Sequence, residues 1–92
     1  MKVVLIKDYD KCRLNLCLLT GDSKNTIYYL SVAKGDPLYA AIPLLTDIES
    51  FNRLTNQKNV KVEELDWKIN DIREFSLRAF KYLKTSSLPC EE

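Results

Sequence analysis

The fold of this chain is decided by residues 12–32, which read CRLNLCLLTGDSKNTIYYLSV. Residues 12–19 alternate between two faces with a period of two, which is typical of a β-strand. Turn-forming side chains fill residues 20–25, and residues 26–32 are rich in β-branched and aromatic side chains. Two such runs separated by a short polar segment predict a pair of antiparallel strands.

Another strand is predicted before this pair. Residues 3–8 (VVLIKD) are short, apolar and β-branched, and residues 8–11 (DYDK) supply a polar turn. Sequential strands joined by short turns favour antiparallel neighbours. The first third of the chain therefore predicts a three-stranded antiparallel meander.

The pattern changes at residues 35–37 (GDP), where Asp before Pro suits the start of a helix. Pro43 then interrupts any continuous helix, because proline lacks an N–H group and clashes with the preceding turn. We expect a short turn near residues 37–41 and a main helix near 43–56. Residues 46–49 (TDIE) match a capping box, which gives Asp47 as a later start for that helix.

The last part of the chain predicts one more strand and one more helix. Residues 60–63 alternate, and the apolar rhythm continues to residue 69. A helical apolar stripe runs from Asn70 or Asp71 to Thr85. The predicted fold is a small α+β domain over residues 1–85, in which a mainly antiparallel sheet packs with two helices in the order β-β-β-α-β-α. Residues 86–92 are predicted to be a flexible tail.

Composition limits the classes of function. The chain has 92 residues, 46% of them apolar, and a formal net charge of +1. One domain of this size needs no metal or disulfide, and its charge gives no broad field for nucleic acid or membranes. Cys12, Cys17 and Cys90 are expected to be unpaired, because an odd number makes a poor disulfide framework. With no signal core or membrane-spanning run, the expected location is the cytoplasm of its own or a host cell.

The sequence argues against an enzyme. It contains no histidine and only two glycines, which removes histidine-based nucleophile pairs and glycine-rich phosphate loops. The densest acidic run is Glu63, Glu64 and Asp66, and neighbouring strand residues point to opposite faces. We therefore predict no catalytic residues, no cofactor and no metal site.

Both faces of the predicted sheet are more apolar than an antiparallel sheet with one solvated face should be. Either the two helices cover both faces, or a partner covers part of one. Tyrosine is enriched at protein interfaces, and Leu77 falls on the polar side of the last helix. The predicted partner-binding residues are Tyr28, Tyr29, Tyr39, Leu77 and Trp67.

Nucleic-acid binding is the alternative function. Its predicted contacts lie on the basic C-terminal helix at Arg73, Arg78, Lys81 and Lys84. Acidic residues interrupt this basic face, and cations near a helix end also suit the helix dipole. No RNA-binding or DNA-binding sequence signature accompanies them.

The sequence thus predicts a non-catalytic protein-binding module that docks on a larger protein. Small freestanding α+β proteins without catalytic residues are typical of inhibitors and accessory factors of viruses, phages and mobile elements, and by that analogy we expect such a role here. Anti-defence inhibitors, antitoxins and immunity proteins belong to this class. A homodimer without an external partner is the other assembly that the apolar sheet allows.

Overall fold

The computed structural model describes residues 1–21, 26–35 and 44–91. Within these residues the chain forms an α+β domain, as the sequence predicts. In chain order the elements are β1 (Lys2–Asp8), β2 (Arg13–Leu19), β3 (Ile27–Ala33), β4 (Leu44–Thr46), α1 (Ile48–Thr55), β5 (Val60–Leu65), α2 (Ile72–Thr85) and a 3-10 turn (Pro89–Glu91).

The strands form one antiparallel sheet in the order β4-β3-β2-β1-β5. The meander of β1, β2 and β3 is confirmed, and β5 confirms the additional strand predicted from residue 60. β4 is an addition to the predicted order. Its three residues are too few to show a period of two, and its pairing with β3 is a contact between distant parts of the chain.

α1 begins where the capping pattern places it. Asp47 is the N-cap, and its Oδ1 accepts a hydrogen bond from the Ser50 N–H at 2.8 Å. That hydrogen bond is the main reason that the pKa of Asp47 lies below its ordinary value. The helical prediction over 43–56 is therefore wrong at its start, since Leu44–Thr46 belong to β4, and the alternative start at Asp47 is the one observed. The turn predicted near 37–41 lies outside the described residues.

Each face of the sheet carries an apolar cluster with one helix packed on it. The cluster on the α2 side comprises Val3, Leu5, Leu14, Leu16, Leu18, Leu30, Val32, Ile69, Phe75, Ala79 and Leu83. The cluster on the α1 side comprises Val4, Ile6, Cys17 and Ile27, against which Phe51 and Leu54 of α1 pack. Of the two arrangements predicted from the apolar faces, helices on both faces is the one observed.

The two helices differ in length and in how deeply their own residues are buried. α2 has 14 residues and buries Phe75, Ala79 and Leu83 completely or nearly so. Its N-cap is Asp71, which accepts a hydrogen bond from the Glu74 N–H at 2.9 Å. α1 has only eight residues, and none of them is fully buried. α1 therefore packs less deeply on its face than α2 does, although the four residues of the α1-side cluster beneath it are buried.

Among the described residues, neither helix combines the length and the apolarity that crossing a membrane requires.

The C-terminal segment, which the sequence predicts to be a flexible tail, contacts the rest of the domain. Leu88 packs against the α2-side cluster, Pro89 is buried, and Cys90 forms a disulfide with Cys12 in the turn between β1 and β2. The expectation that all three cysteines are unpaired is therefore wrong for two of them. Two cysteines an odd number of residues apart on one strand point to opposite faces and cannot pair. That rule says nothing about a turn and a chain end that the fold brings together. The Cα atoms of this pair are 5.2 Å apart.

Reduction of this disulfide should lower the free energy of unfolding. The bond joins residues 78 positions apart. In the chain-entropy account, closing a loop of this length stabilises the folded state by about 4 kcal/mol. Urea unfolding with and without reductant measures the difference. The C12S/C90S double variant is the control, because its midpoint should match that of the reduced protein and ignore the reductant. A wild-type midpoint that reductant leaves unchanged would contradict a stabilising disulfide.

Candidate protein-binding surface

Tyr28 and Tyr29, two of the predicted partner-binding residues, lie on opposite faces of β3. Tyr28 packs against the α2-side cluster and Tyr29 against the α1-side cluster, and both side chains are half-buried. Adjacent strand residues always separate in this way. The two tyrosines therefore do not form one aromatic surface, and each contributes to a different face of the sheet.

The neighbouring strand β4 places an exposed leucine beside each tyrosine. In the register of β3 and β4, Leu45 lies opposite Tyr28 and Leu44 lies opposite Tyr29. Leu44 is 51% exposed and Leu45 is 64% exposed. We name the surface formed by these four residues and Ile48 the β4 edge. It presents apolar side chains on both faces of the outermost strand at this side of the sheet.

The β4 edge also has an open strand border. β4 is the last strand in the sheet order and, among the described residues, it pairs with β3 alone. An edge strand presents backbone N–H and C=O groups that another chain can pair with. Ile48, at the start of α1, extends the exposed apolar surface beyond the strand.

Sequence reasoning missed Leu44 and Leu45 because it placed them in a helix. A usable signal was present in the sequence. Two leucines directly precede the capping residues Thr46 and Asp47, so they lie outside the helix that Asp47 caps. An apolar pair in that position either enters the core as a strand or remains on the surface.

Trp67, another predicted partner-binding residue, is half-buried and engaged within the domain. Its ring meets that of Tyr82 edge-on, with centroids 5.5 Å apart. The Arg78 guanidinium lies 4.7 Å from the centroid of the Trp67 ring, within range of a cation–π interaction. Trp67 therefore closes one side of the α2-side cluster.

Leu77 is 70% exposed on α2. At 100° per residue it lies on the side of the helix opposite Phe75, Ala79 and Leu83, which face the sheet. Leu77 is therefore separate from Trp67 and from both tyrosines on the sheet. Tyr39, the remaining predicted partner-binding residue, lies outside the described residues.

The basic residues of α2 do not share one direction. Arg78 is turned toward Trp67, and its Nη1 donates a hydrogen bond of 3.5 Å to the Lys68 carbonyl. Arg73, Lys81 and Lys84 are exposed, as is Arg78 itself, and on the helical wheel Leu77 falls between Arg73 and Lys81. The four cations predicted for nucleic acid are thus split between an internal contact and a mixed outer face.

A cavity of about 170 Å³ lies on the α1 side of the sheet. Its lining residues are Asn15, Cys17, Tyr29, Thr46, Ser50, Phe51 and Leu54. The Asn15 Nδ2 is buried and has no hydrogen-bond partner among the residues that the structure describes. Pockets for drug-sized molecules begin at about 300 Å³, so this cavity is smaller than that range. Among residues 1–21, 26–35 and 44–91, no group of three or more potential metal ligands comes together.

No protein-family model, curated protein or solved structure gives a significant match to this chain. The function must therefore be inferred from the surfaces described above. Among them, the β4 edge combines exposed apolar side chains, half-buried tyrosines and an open strand border. We take it as the candidate protein-binding surface.

The thiol of Cys17 should be unreactive in the folded protein. Cys17 is outside the disulfide, and burial of its side chain under α1 raises the pKa of the thiol to about 12. The reactive thiolate is therefore almost absent at pH 8. Titration with a thiol reagent at that pH, without reductant, should give no rapid reaction when folded and one equivalent in denaturant. C17S is the control, since it should give none in either state. Rapid labelling of the folded wild type would contradict the burial described here.

Proposed function

We propose that this chain is a non-catalytic protein-binding module that docks on a larger protein through the β4 edge. The observation that carries the proposal is the pairing of Leu44 and Leu45 with Tyr29 and Tyr28 on an outermost strand. Apolar side chains at a strand border suit a partner that supplies an extended segment or a shallow apolar groove.

Backbone hydrogen bonds and side-chain burial would contribute differently to the affinity of docking. β4 has only three residues, so added backbone hydrogen bonds would be few. Leu44 and Leu45 point to opposite faces of the sheet, and burying each of them removes apolar surface from water. The side chains would therefore carry most of the affinity, while the strand border would fix the orientation of the partner.

A small inhibitor or accessory factor is the class that this arrangement suits best. Such a protein acts by occupying a surface of its target. The analogy with anti-defence inhibitors, antitoxins and immunity proteins of viruses, phages and mobile elements rests on the size and simplicity of the domain.

The predicted cytoplasmic location, in its own or a host cell, remains a proposal. The Cys12–Cys90 disulfide weighs against it, since disulfides persist mainly in oxidising compartments and are rare in the cytosol. Trapping free thiols in cells before lysis would decide the matter. If Cys12 and Cys90 escape the trapping reagent because they are joined as a disulfide, the compartment is oxidising. If the reagent modifies both thiols, the cytoplasm is supported.

Nucleic-acid binding through α2 is the second candidate function. The exposed side chains of Arg73, Lys81 and Lys84 favour it. The engagement of Arg78 with Trp67 and the presence of Leu77 on the outer face weigh against it. Binding of this kind would weaken steeply with salt, because phosphate contacts release counterions.

An affinity capture from lysate of the source cell, or of its host, tests docking at the β4 edge. Wild-type protein should retain a partner at near-equal stoichiometry after nuclease treatment, and L44K/L45K should lose it. Because hot-spot side chains each contribute more than about 1 kcal/mol, affinity for the purified partner should fall at least about tenfold.

Two controls accompany this experiment. L77K places one new lysine on the exposed face of α2, and it should retain the partner. Circular dichroism melting should show that L44K/L45K remains folded, since both leucines are exposed in the wild type. Equal capture by L44K/L45K would overturn docking at the β4 edge. A partner that disappears with nuclease would support the second candidate instead.

A further inference from the structure

The second border of the sheet, formed by β5, is longer than the β4 edge and differs in chemistry. β5 runs from Val60 to Leu65, pairs with β1 along its whole length, and is the last strand in the sheet order. Among the described residues no strand lies on its outer side. The side chains of residues 61–64 are exposed, and Val62, at 45% exposure, is the large apolar one.

One hydrogen bond determines which backbone groups of β5 point outward. The Tyr9 N–H donates to the Asn59 carbonyl at 2.9 Å. Tyr9 and Asn59 continue the β1–β5 register by one pair beyond Asp8 and Val60. In an antiparallel ladder, hydrogen-bonded pairs alternate with pairs that are not bonded. The odd-numbered residues of β5 therefore bond to β1, and Val60, Val62 and Glu64 direct their N–H and C=O groups to the open border.

This pattern restricts how two copies of β5 can pair about a two-fold axis. In an antiparallel pairing centred on Val62, the valines of the two copies face each other as a hydrogen-bonded pair. Val60 then lies opposite Glu64, also as a hydrogen-bonded pair. Lys61 lies opposite Glu63, in the pair type where side chains approach most closely.

The charges favour this register over its neighbours. Centring the axis on Lys61 would place two lysines opposite each other, and centring it on Glu63 would do the same with two glutamates. Like charges directly opposite across strands are destabilising, and opposite charges are stabilising. The register centred on Val62 alone among these three aligns each lysine with a glutamate.

We propose that β5 pairs with β5 of a second copy of this chain, in the antiparallel register centred on Val62. The two sheets then continue into one another through on the order of six backbone hydrogen bonds. Val62, half-exposed in the single chain, is covered at the two-fold axis by its own counterpart.

Charged side chains on an edge strand often serve to prevent association. A border protected in that way repels its own copy when its charges share one sign. Here Lys61 and Glu63 lie on the same face of the strand with opposite signs, so they are complementary to themselves when the strand is reversed. The sequence Lys-Val-Glu at 61–63 is therefore suited to its own copy, whereas a strand of uniform charge would be repelled.

Self-association through β5 leaves the β4 edge free, because β4 and β5 are at opposite ends of the sheet order. The inference goes beyond the proposed docking function and does not depend on it. Loss of one activity without the other would show that the two surfaces act separately.

Charge reversal tests the register. Sedimentation equilibrium of the wild type over a range of concentrations should show association toward twice the monomer mass of 10.7 kDa. K61E and E63K should each weaken the dimer at least about tenfold, because each places like charges opposite each other at two symmetric positions. The double variant K61E/E63K should restore it, since the charges are then exchanged and remain complementary.

The single chain should tolerate these changes. Lys61 lies opposite Lys7 of β1 within its own sheet, so K61E replaces a pair of like charges with a pair of opposite charges. V62P provides an independent variant. It removes an N–H group that points to the open border rather than to β1, which an edge strand accommodates, and it should abolish the dimer. L45K on the β4 edge is the matched control and should leave the dimer intact.

A wild-type protein that stays monomeric at every concentration would overturn the proposal. So would a dimer that K61E, E63K and V62P all leave unchanged, since another surface would then hold it. Recovery of the dimer in K61E/E63K after its loss in both single variants supports the stated register.

Discussion

Burial of both faces of the central strands is the constraint on which the rest of this structure depends. β1 sends Val3 and Leu5 to one side of the sheet and Val4 and Ile6 to the other, and all four are buried. A strand of that kind needs cover above and below. The chain supplies it with α2 on one side and α1 on the other, so the two helices cannot pack side by side. The outer strands β4 and β5 then lie at the two borders of the sheet, where no other strand of the described residues pairs with them.

The sequence was informative wherever a local pattern was long enough. Residues 12–19 and 60–63 show the strand period, and residues 70–85 combine a helical apolar stripe with acidic residues at the start and a lysine at the end. These elements are confirmed. β4 was not predictable in this way, because three residues carry no period and its pairing depends on the position of β3. Leu44 and Leu45 were consequently assigned to a helix, and the candidate site lost its most exposed members.

The predicted partner-binding residues differ in how the fold places them. Tyr28 and Tyr29 were selected by residue type, and they lie opposite Leu45 and Leu44 of β4, on separate faces of the sheet. Trp67 was selected by the same reasoning, yet its ring is occupied by Tyr82 and Arg78. Composition indicates which side chains favour interfaces, but only the packing of the domain shows which of them are already engaged. The disulfide was missed because its two cysteines are far apart in the sequence, and only the complete fold brings the segment after α2 next to the turn between β1 and β2.

The disulfide between Cys12 and Cys90 has a topological consequence. It turns nearly the entire chain into a covalent ring, with only the first eleven residues and the last two outside it. A single proteolytic nick anywhere between the two cysteines opens that ring without releasing a fragment. The nicked polypeptide keeps its mass under non-reducing conditions, and both pieces remain tethered where β1 meets β2. In a protease-rich environment, the molecule would withstand one backbone cut as a linked whole, whereas an unlinked chain would fall into two parts.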